Sequence, residues 1–188
     1  MSIDSTDRLL SVLLSEYQKL KDEQIQRIGF RDNMLYVTLV TVGGVVSITF
    51  GGANNLAPLL LVPWICVILG WTYLTNDEKI SAIGKYIRLK LDKRIRQQIA
   101  ASEQTIFGWE IEHRNDARRS TRKVLQFFID EFAFCLSGIS AILIYLIFEP
   151  TQSPLTIIIS SVEGILLLVL GVQIALYADL RRDRKSDE

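Results

Sequence analysis

One acidic residue, Glu163, lies inside the longest apolar stretch of the chain, residues 155–178, with no Lys or Arg beside it. An acid at membrane depth costs about 2.5 to 3.5 kcal/mol on insertion scales, so such residues usually face other helices or water. On a helix, Ser160, Gly164 and Gly171 fall near the same stripe as Glu163. Glu163 is therefore the first candidate for a functional site.

Two interpretations of Glu163 stay open at this point. In one, copies of Glu163 from several subunits ring a pore or form a protonatable site, as acidic rings do in cation channels. In the other, the carboxyl group is protonated and hydrogen-bonds Ser137, Ser140 or Tyr145 in an earlier apolar block. Gln173 lies close to the same face, where its amide lines a pore or bonds a neighbouring helix. The set of pore-lining or intramembrane polar residues is thus Glu163, Gln173, Ser160, Ser137 and Ser140.

Basic residues form two clusters in the middle of the chain. Near a cytoplasmic leaflet each Lys or Arg gains about 1 kcal/mol from anionic lipid, which predicts contact with lipid head groups. A phosphate-bearing ligand, a nucleotide or RNA is the alternative. The residues expected to bind lipid or ligand phosphate are Arg88, Arg94, Arg114, Arg118, Arg119 and Arg122.

Motifs for metal binding and catalysis are scarce. Glu110 and His113 have the E-x-x-H spacing of di-iron bundles, but a single copy without further His or Cys motifs predicts no metal site. Nucleophile elbows, phosphate-binding loops and dinucleotide fingerprints are absent from the sequence, so we expect neither an enzyme nor a cofactor. Cys66 and Cys135 lie in apolar blocks, where free thiols behave as small hydrophobes.

Four apolar blocks must position these residues: 34–50, 56–75, 132–148 and 155–178. Short turns follow the first and third blocks, which predicts two hairpins. The first block is rich in small and hydroxyl residues, which let helices approach closely in lipid. The predicted fold is an all-α membrane protein with four transmembrane helices in two hairpins.

The distribution of basic residues predicts the orientation. Of the 21 Lys and Arg residues, none lies in either short turn. The positive-inside rule therefore places both termini and the long central loop in the cytoplasm of a multi-pass protein of the cell inner membrane. The expected division is an N-terminal amphipathic helix (1–33), a transmembrane hairpin (34–75), a cytosolic helical loop (76–131), a second hairpin (132–178) and a cytosolic tail (179–188).

The predicted cytosolic part begins with an amphipathic helix near residues 5–29, whose apolar residues recur at steps of three and four. In the central loop the same spacing from Ile80 to Ile99 predicts a second amphipathic helix. From Phe107 to Arg114 apolar and polar residues alternate, which favours a short strand or extended loop. Phe107, Trp109 and His113 in this segment are candidates for docking a cytosolic protein.

Three strings carry a resemblance: RIGFRDNMLY (27–36), LGWTYLTNDEKISAIGKYIR (69–88) and FGWEIEHR (107–114). They resemble those of small uncharacterised bacterial four-helix integral membrane proteins. In general plan the chain is similar to compact membrane effectors of anti-phage defence, including the membrane subunit of the Kiwa system. This similarity of plan implies a role in antiviral defence, but it assigns no activity to any residue.

Together these patterns predict a homo-oligomeric integral membrane protein that is a channel or membrane-perturbing effector, gated by its cytosolic helical region. The alternative is a non-conducting membrane anchor or scaffold that recruits a cytosolic partner. Expected partners are membrane lipids, further copies of the chain and a cytosolic protein. A net formal charge of zero gives no general field for nucleic acid, although a nucleotide or nucleic acid stays open through the basic clusters.

Overall fold

A computed structural model describes residues 3–52, 55–99, 106–107 and 118–178, without the side chains of 3–5 and 119–120. All regular elements within this part of the chain are helical, and there is no strand. A 3₁₀ turn (Ala57–Leu60) precedes the second helix, and π-helical segments (Ile87–Leu91 and Glu131–Leu136) follow the second and fourth. The α-helices are α1 (Ile3–Phe50), α2 (Leu61–Tyr86), α3 (Asp92–Gln98), α4 (Arg119–Asp130), α5 (Ser137–Phe148) and α6 (Pro154–Tyr177).

Within the described residues, four helical stretches are long and apolar enough to cross a membrane, judged by length and composition. The shortest has 24 residues, which at about 1.5 Å per residue gives roughly 36 Å against a hydrocarbon layer of about 30 Å. The predicted all-α class with four such helices is therefore confirmed at this level. The four stretches are Thr6–Phe50, Ala57–Gln98, Thr121–Phe148 and Pro154–Tyr177.

The turn between α5 and α6 follows from local chemistry. Glu149 has an extended backbone at the end of α5, because the residue before a proline is disfavoured in the helical region. Ser153 then caps α6: its hydroxyl oxygen accepts a hydrogen bond from the backbone N–H of Thr156 at 3.2 Å. Pro154 occupies the first turn, where its missing N–H costs nothing. These residues fix where α6 begins.

The chain divides into two compact units. Unit 1 comprises Met1–Phe30 and Asn76–Arg119. Its core joins Leu13 of α1 to Ile87, Leu91 and Ile95, while Ile99, at the end of the predicted apolar series, is exposed.

Unit 2 comprises Arg31–Thr75 and Ser120–Glu188. Helix α6 buries one stripe in this unit, at successive steps of three and four residues. It packs against the π-helical segment Glu131–Leu136 and against α5. This spacing keeps the buried residues on a single face of the helix. The buried stripe is Ser160, Glu163, Leu167, Leu170 and Ile174.

Gly70 of α2 leaves room for side chains of neighbouring helices in unit 2. A Cβ atom at this position would lie 2.7 Å from Leu170 Cδ2 and 3.1 Å from the ring of Phe134. Both of those side chains are fully buried and have little room to retreat. By contrast, a Cβ at Gly164 of α6 would meet nothing within 4 Å.

We therefore expect Gly70→Ala to lower the thermal unfolding midpoint of the detergent-solubilised protein, because overpacking a tight core costs about 1 to 3 kcal/mol. Gly164→Ala is the matched control, and it should leave the midpoint unchanged or raise it slightly. Fluorescence-detected size-exclusion after heating measures both variants. Equal midpoints for the two would contradict the packing around Gly70.

Candidate functional site

Most hydroxyl groups in the apolar helices of unit 2 are satisfied by their own backbone. Thr38 and Thr49 of α1 donate to carbonyl oxygens four residues earlier, each at 2.8 Å. Ser161 of α6 donates to the Ile157 carbonyl oxygen at 2.7 Å. Such bonds satisfy the hydroxyl donor in an apolar environment without a partner on a neighbouring helix.

Ser160 and Glu163 depart from this pattern. Their exposed fractions are 3% and 1%, yet the Ser160 hydroxyl and both Glu163 carboxyl oxygens have no hydrogen-bond partner of good geometry. The indole of Trp64 on α2 is the donor group that approaches Glu163. No bond to Glu163 comes from Ser137, Ser140 or Tyr145, the partners that the sequence offered. Leaving a buried polar group unpaired is costly, which marks this pair as a candidate site.

The Glu163 carboxyl group faces helices of its own protomer. It belongs to the stripe of α6 that is covered within unit 2. A ring of Glu163 side chains around an axis between copies would require this stripe to be uncovered. In the observed conformation the carboxyl group is instead enclosed by a single chain.

The other predicted polar residues lie in different settings. The Ser137 hydroxyl donates to the Ala133 carbonyl oxygen at 2.5 Å and lies 3.4 Å from Cys66 Sγ on α2. Ser140 and Gln173 are half-buried. Ser137 therefore belongs to a thiol–hydroxyl contact between helices, apart from Glu163.

Glu131 is a residue that the sequence did not single out as a site. A Cβ at Gly171 of α6 would lie 3.2 Å from Glu131 Oε2 and 3.3 Å from Cys135 Sγ, so the glycine makes room for both groups. The Cys135 thiol also donates to the Leu167 carbonyl oxygen at 3.7 Å. These contacts come from the π-helical segment 131–136, a type of segment often found at functional sites. No local sequence pattern predicts a π-helical turn at residues 131–136.

A second polar cluster lies near the end of α4 and is internally satisfied. The Gln126 amide donates to the Tyr73 hydroxyl at 2.5 Å and to Asp130 Oδ1 at 2.9 Å. Arg31 lies 6.0 Å above the ring of Tyr73, within reach of a cation–π contact. These contacts join α4 to α2 within unit 2.

Unit 1 contains an ion pair whose carboxylate is buried and whose arginine is half-buried. Asp92 of α3, which is 2% exposed, pairs with Arg96 one turn later. Asp92 Oδ1 and Arg96 Nε are buried without further partners. The pair sits directly after the π-helical segment 87–91, beside the apolar core of unit 1.

The predicted phosphate-binding arginines fall into separate parts of the chain. Arg88, Arg94 and Arg118 belong to unit 1, and Arg122 belongs to unit 2. Arg94, Arg118 and Arg122 are exposed, as a lipid or phosphate contact requires. Arg114 and the Arg119 side chain lie outside the described residues.

The predicted docking residues are only partly described. Phe107 is half-buried and stacks on Tyr17 with 4.3 Å between ring centroids, so its ring contributes to the core of unit 1. Trp109 and His113 lie outside the described residues, as does most of the predicted strand. Where the chain is described, no group of three His, Cys, Asp or Glu side chains is arranged to hold a metal ion.

No protein-family model, curated protein or solved structure matches this chain. The resemblance to small bacterial four-helix membrane proteins is therefore supported only by the four long apolar helices. The candidate site rests on the geometry of Glu163 and its surroundings.

The buried pair of unit 1 can be tested directly. Arg96→Ala leaves the Asp92 carboxylate buried without its partner, so we expect it to lower the free energy of unfolding by about 3 kcal/mol. Arg94→Ala, two residues away and exposed, is the matched control and should have little effect. Thermal unfolding and limited proteolysis measure the difference. A destabilisation by Arg94→Ala as large as that by Arg96→Ala would argue against the pair.

Proposed function

We propose that this chain is a homo-oligomeric integral membrane protein that passes ions or perturbs the membrane, under control of its cytosolic helical region. It lies in the cell inner membrane with both termini in the cytoplasm, in contact with membrane lipids. The observation that carries the proposal is Glu163, a carboxyl group enclosed by apolar helices without a hydrogen-bond partner.

The energetic argument concerns what Glu163 does for stability. A buried carboxyl group that lacks hydrogen bonds destabilises the fold relative to an apolar residue of similar size. Sites that break the rules of packing in this way are expected to serve function. Ionisable residues inside membrane segments commonly mark pathways for ions or protons.

The surface of α1 supports the homo-oligomer. Gly43, Gly44 and Ser47 are exposed in the single chain, and a Cβ at either glycine would meet nothing within 4 Å. Small residues at membrane depth favour close helix packing. A second copy of the chain is the partner that we propose for this face.

Control by the cytosolic region is supported by connectivity. Helices α1 and α2 each contribute residues to both units. A small shift of such a helix, caused by a ligand or partner on unit 1, therefore acts on residues of unit 2 without an additional coupling element. Arg94 and Arg118 of unit 1 are exposed, and a ligand that triggers this shift would bind them through a phosphate group.

Planar-bilayer recording on the purified full-length protein tests conduction. We expect a conductance in wild type that falls on the order of tenfold in Glu163→Gln, which corresponds to about 1.4 kcal/mol on a barrier. Glu149→Gln, in the turn before α6, is the control and should conduct as wild type does. Absence of any wild-type current, or an unchanged current in Glu163→Gln, would remove the proposal.

Phage challenge of cells that express wild type or Glu163→Gln tests the proposed role in antiviral defence.

A non-conducting anchor is the second candidate, favoured by the separate core of unit 1. In this case the cytosolic unit recruits a soluble protein, and the helices only hold it at the membrane. We then expect crosslinking in intact cells to capture a cytosolic protein near one-to-one stoichiometry, and Trp109→Ala to release it. Capture that is equal for wild type and Trp109→Ala would argue against docking through the segment that contains Phe107, Trp109 and His113.

A further inference from the structure

The face of α6 that carries Glu163 bears a row of hydroxyl groups. Ser153, Thr156, Ser160 and Glu163 follow at steps of three, four and three residues, which places them along one side of the helix. Their burial increases in that order: Ser153 is exposed, Thr156 is half-buried, and Ser160 and Glu163 are buried. The Ser153 and Thr156 hydroxyl oxygens are 2.8 Å apart. The row therefore leads from the accessible start of α6 to the enclosed carboxyl group.

One helical turn beyond Glu163, the row is interrupted by Leu167. This side chain is fully buried, and a Cβ at Gly138 of α5 would lie 2.8 Å from its Cδ1 atom. One further turn along α6 is Gly171, where the Glu131 carboxyl group lies. Glu163 and Gly171 are eight residues apart, or about 12 Å along the axis. Leu167 is thus an apolar side chain between two carboxyl groups.

Few side-chain oxygen atoms around Glu163 are free to bind a divalent cation. In the described part of unit 2, the buried side-chain oxygens without a partner are Ser160 Oγ, Glu163 Oε1 and Glu163 Oε2. A Ca²⁺ ion takes about six to eight oxygen ligands. The nearby group on α2 is the indole N–H of Trp64, a donor that disfavours a cation, and no charged side chain of the described residues acts on Glu163.

We propose that the species this protein moves is the proton, that Ser153, Thr156 and Ser160 conduct it to Glu163, and that Leu167 closes the connection to Glu131. The inference rests on the proposed function and names its substrate. A hydroxyl group both donates and accepts a hydrogen bond, so a row of them can pass a proton along. Ser160 Oγ bonds neither Thr156 nor Glu163 in this conformation, so the proton passes only when the Ser160 side chain rotates to bond each of them. The Glu163 carboxylate takes up the proton and releases it, and only O–H bonds form and break. One proton enters at the Ser153 end and one leaves past Glu131.

Proton flux into proteoliposomes tests this inference on the full-length protein, with a trapped pH-sensitive dye and a potassium diffusion potential set by valinomycin. Ser160→Ala should lower the proton flux about fivefold to tenfold, since it removes one hydrogen-bonding carrier. Ser160→Thr keeps the hydroxyl and should restore most of the flux. Ser161→Ala is the matched control, because Ser161 is exposed and bonds its own helix, and it should match wild type.

Two further variants test the gate and the exit. Leu167→Ala should raise proton flux severalfold by removing the apolar barrier between the carboxyl groups. Glu131→Gln should lower it, whereas Glu149→Gln should not. Size-exclusion profiles identify any variant that has lost its fold. The Ser160 and Ser161 variants change one non-hydrogen atom each, so they keep the test valid if Leu167→Ala is unstable.

The outcomes separate this inference from the proposed function. A bilayer without current of any ion removes both. A current whose reversal potential follows K⁺ or Cl⁻ and ignores a pH gradient overturns the proton assignment and leaves conduction standing. A proton current that is equal in Ser160→Ala and Ser161→Ala overturns the hydroxyl row.

Discussion

The helices of unit 2 depend on satisfying polar groups where water is excluded. A buried donor or acceptor that finds no partner costs free energy, so each hydroxyl must bond its own backbone or a neighbour. Thr38, Thr49 and Ser161 use the carbonyl oxygen one turn earlier. The oxygens of Ser160 and Glu163 are buried without a partner and depart from this rule. Other interactions in unit 2 must offset their cost in free energy.

Tight packing of apolar side chains surrounds the unpaired oxygens of Ser160 and Glu163 and stabilises unit 2. Gly70 and Gly138 let the side chains of Leu170 and Leu167 fill the space between helices. Interiors packed at such density do not deform smoothly, so they tend to change between discrete arrangements. Leu167 is one such side chain, packed closely against Gly138.

Unit 1 has its own core and a different kind of buried polar group. Asp92 and Arg96 neutralise each other beside Leu91 and Ile95, whereas no cation among the described side chains pairs with Glu163. Loss of the arginine would leave the buried Asp92 carboxylate without its partner, which destabilises a fold. Helices α1 and α2 each supply residues to both units.

Run length and composition were enough to predict four apolar helices, because hydropathy is a local property summed along the chain. The apolar spacing from Ile87 to Ile95 likewise predicted residues that the structure buries. The direction in which Glu163 faces, the contact of Glu131 with Gly171 and the two π-helical segments were not predictable from these patterns. They depend on which helices pack together and how closely, and residues distant in sequence decide that only when the tertiary structure forms.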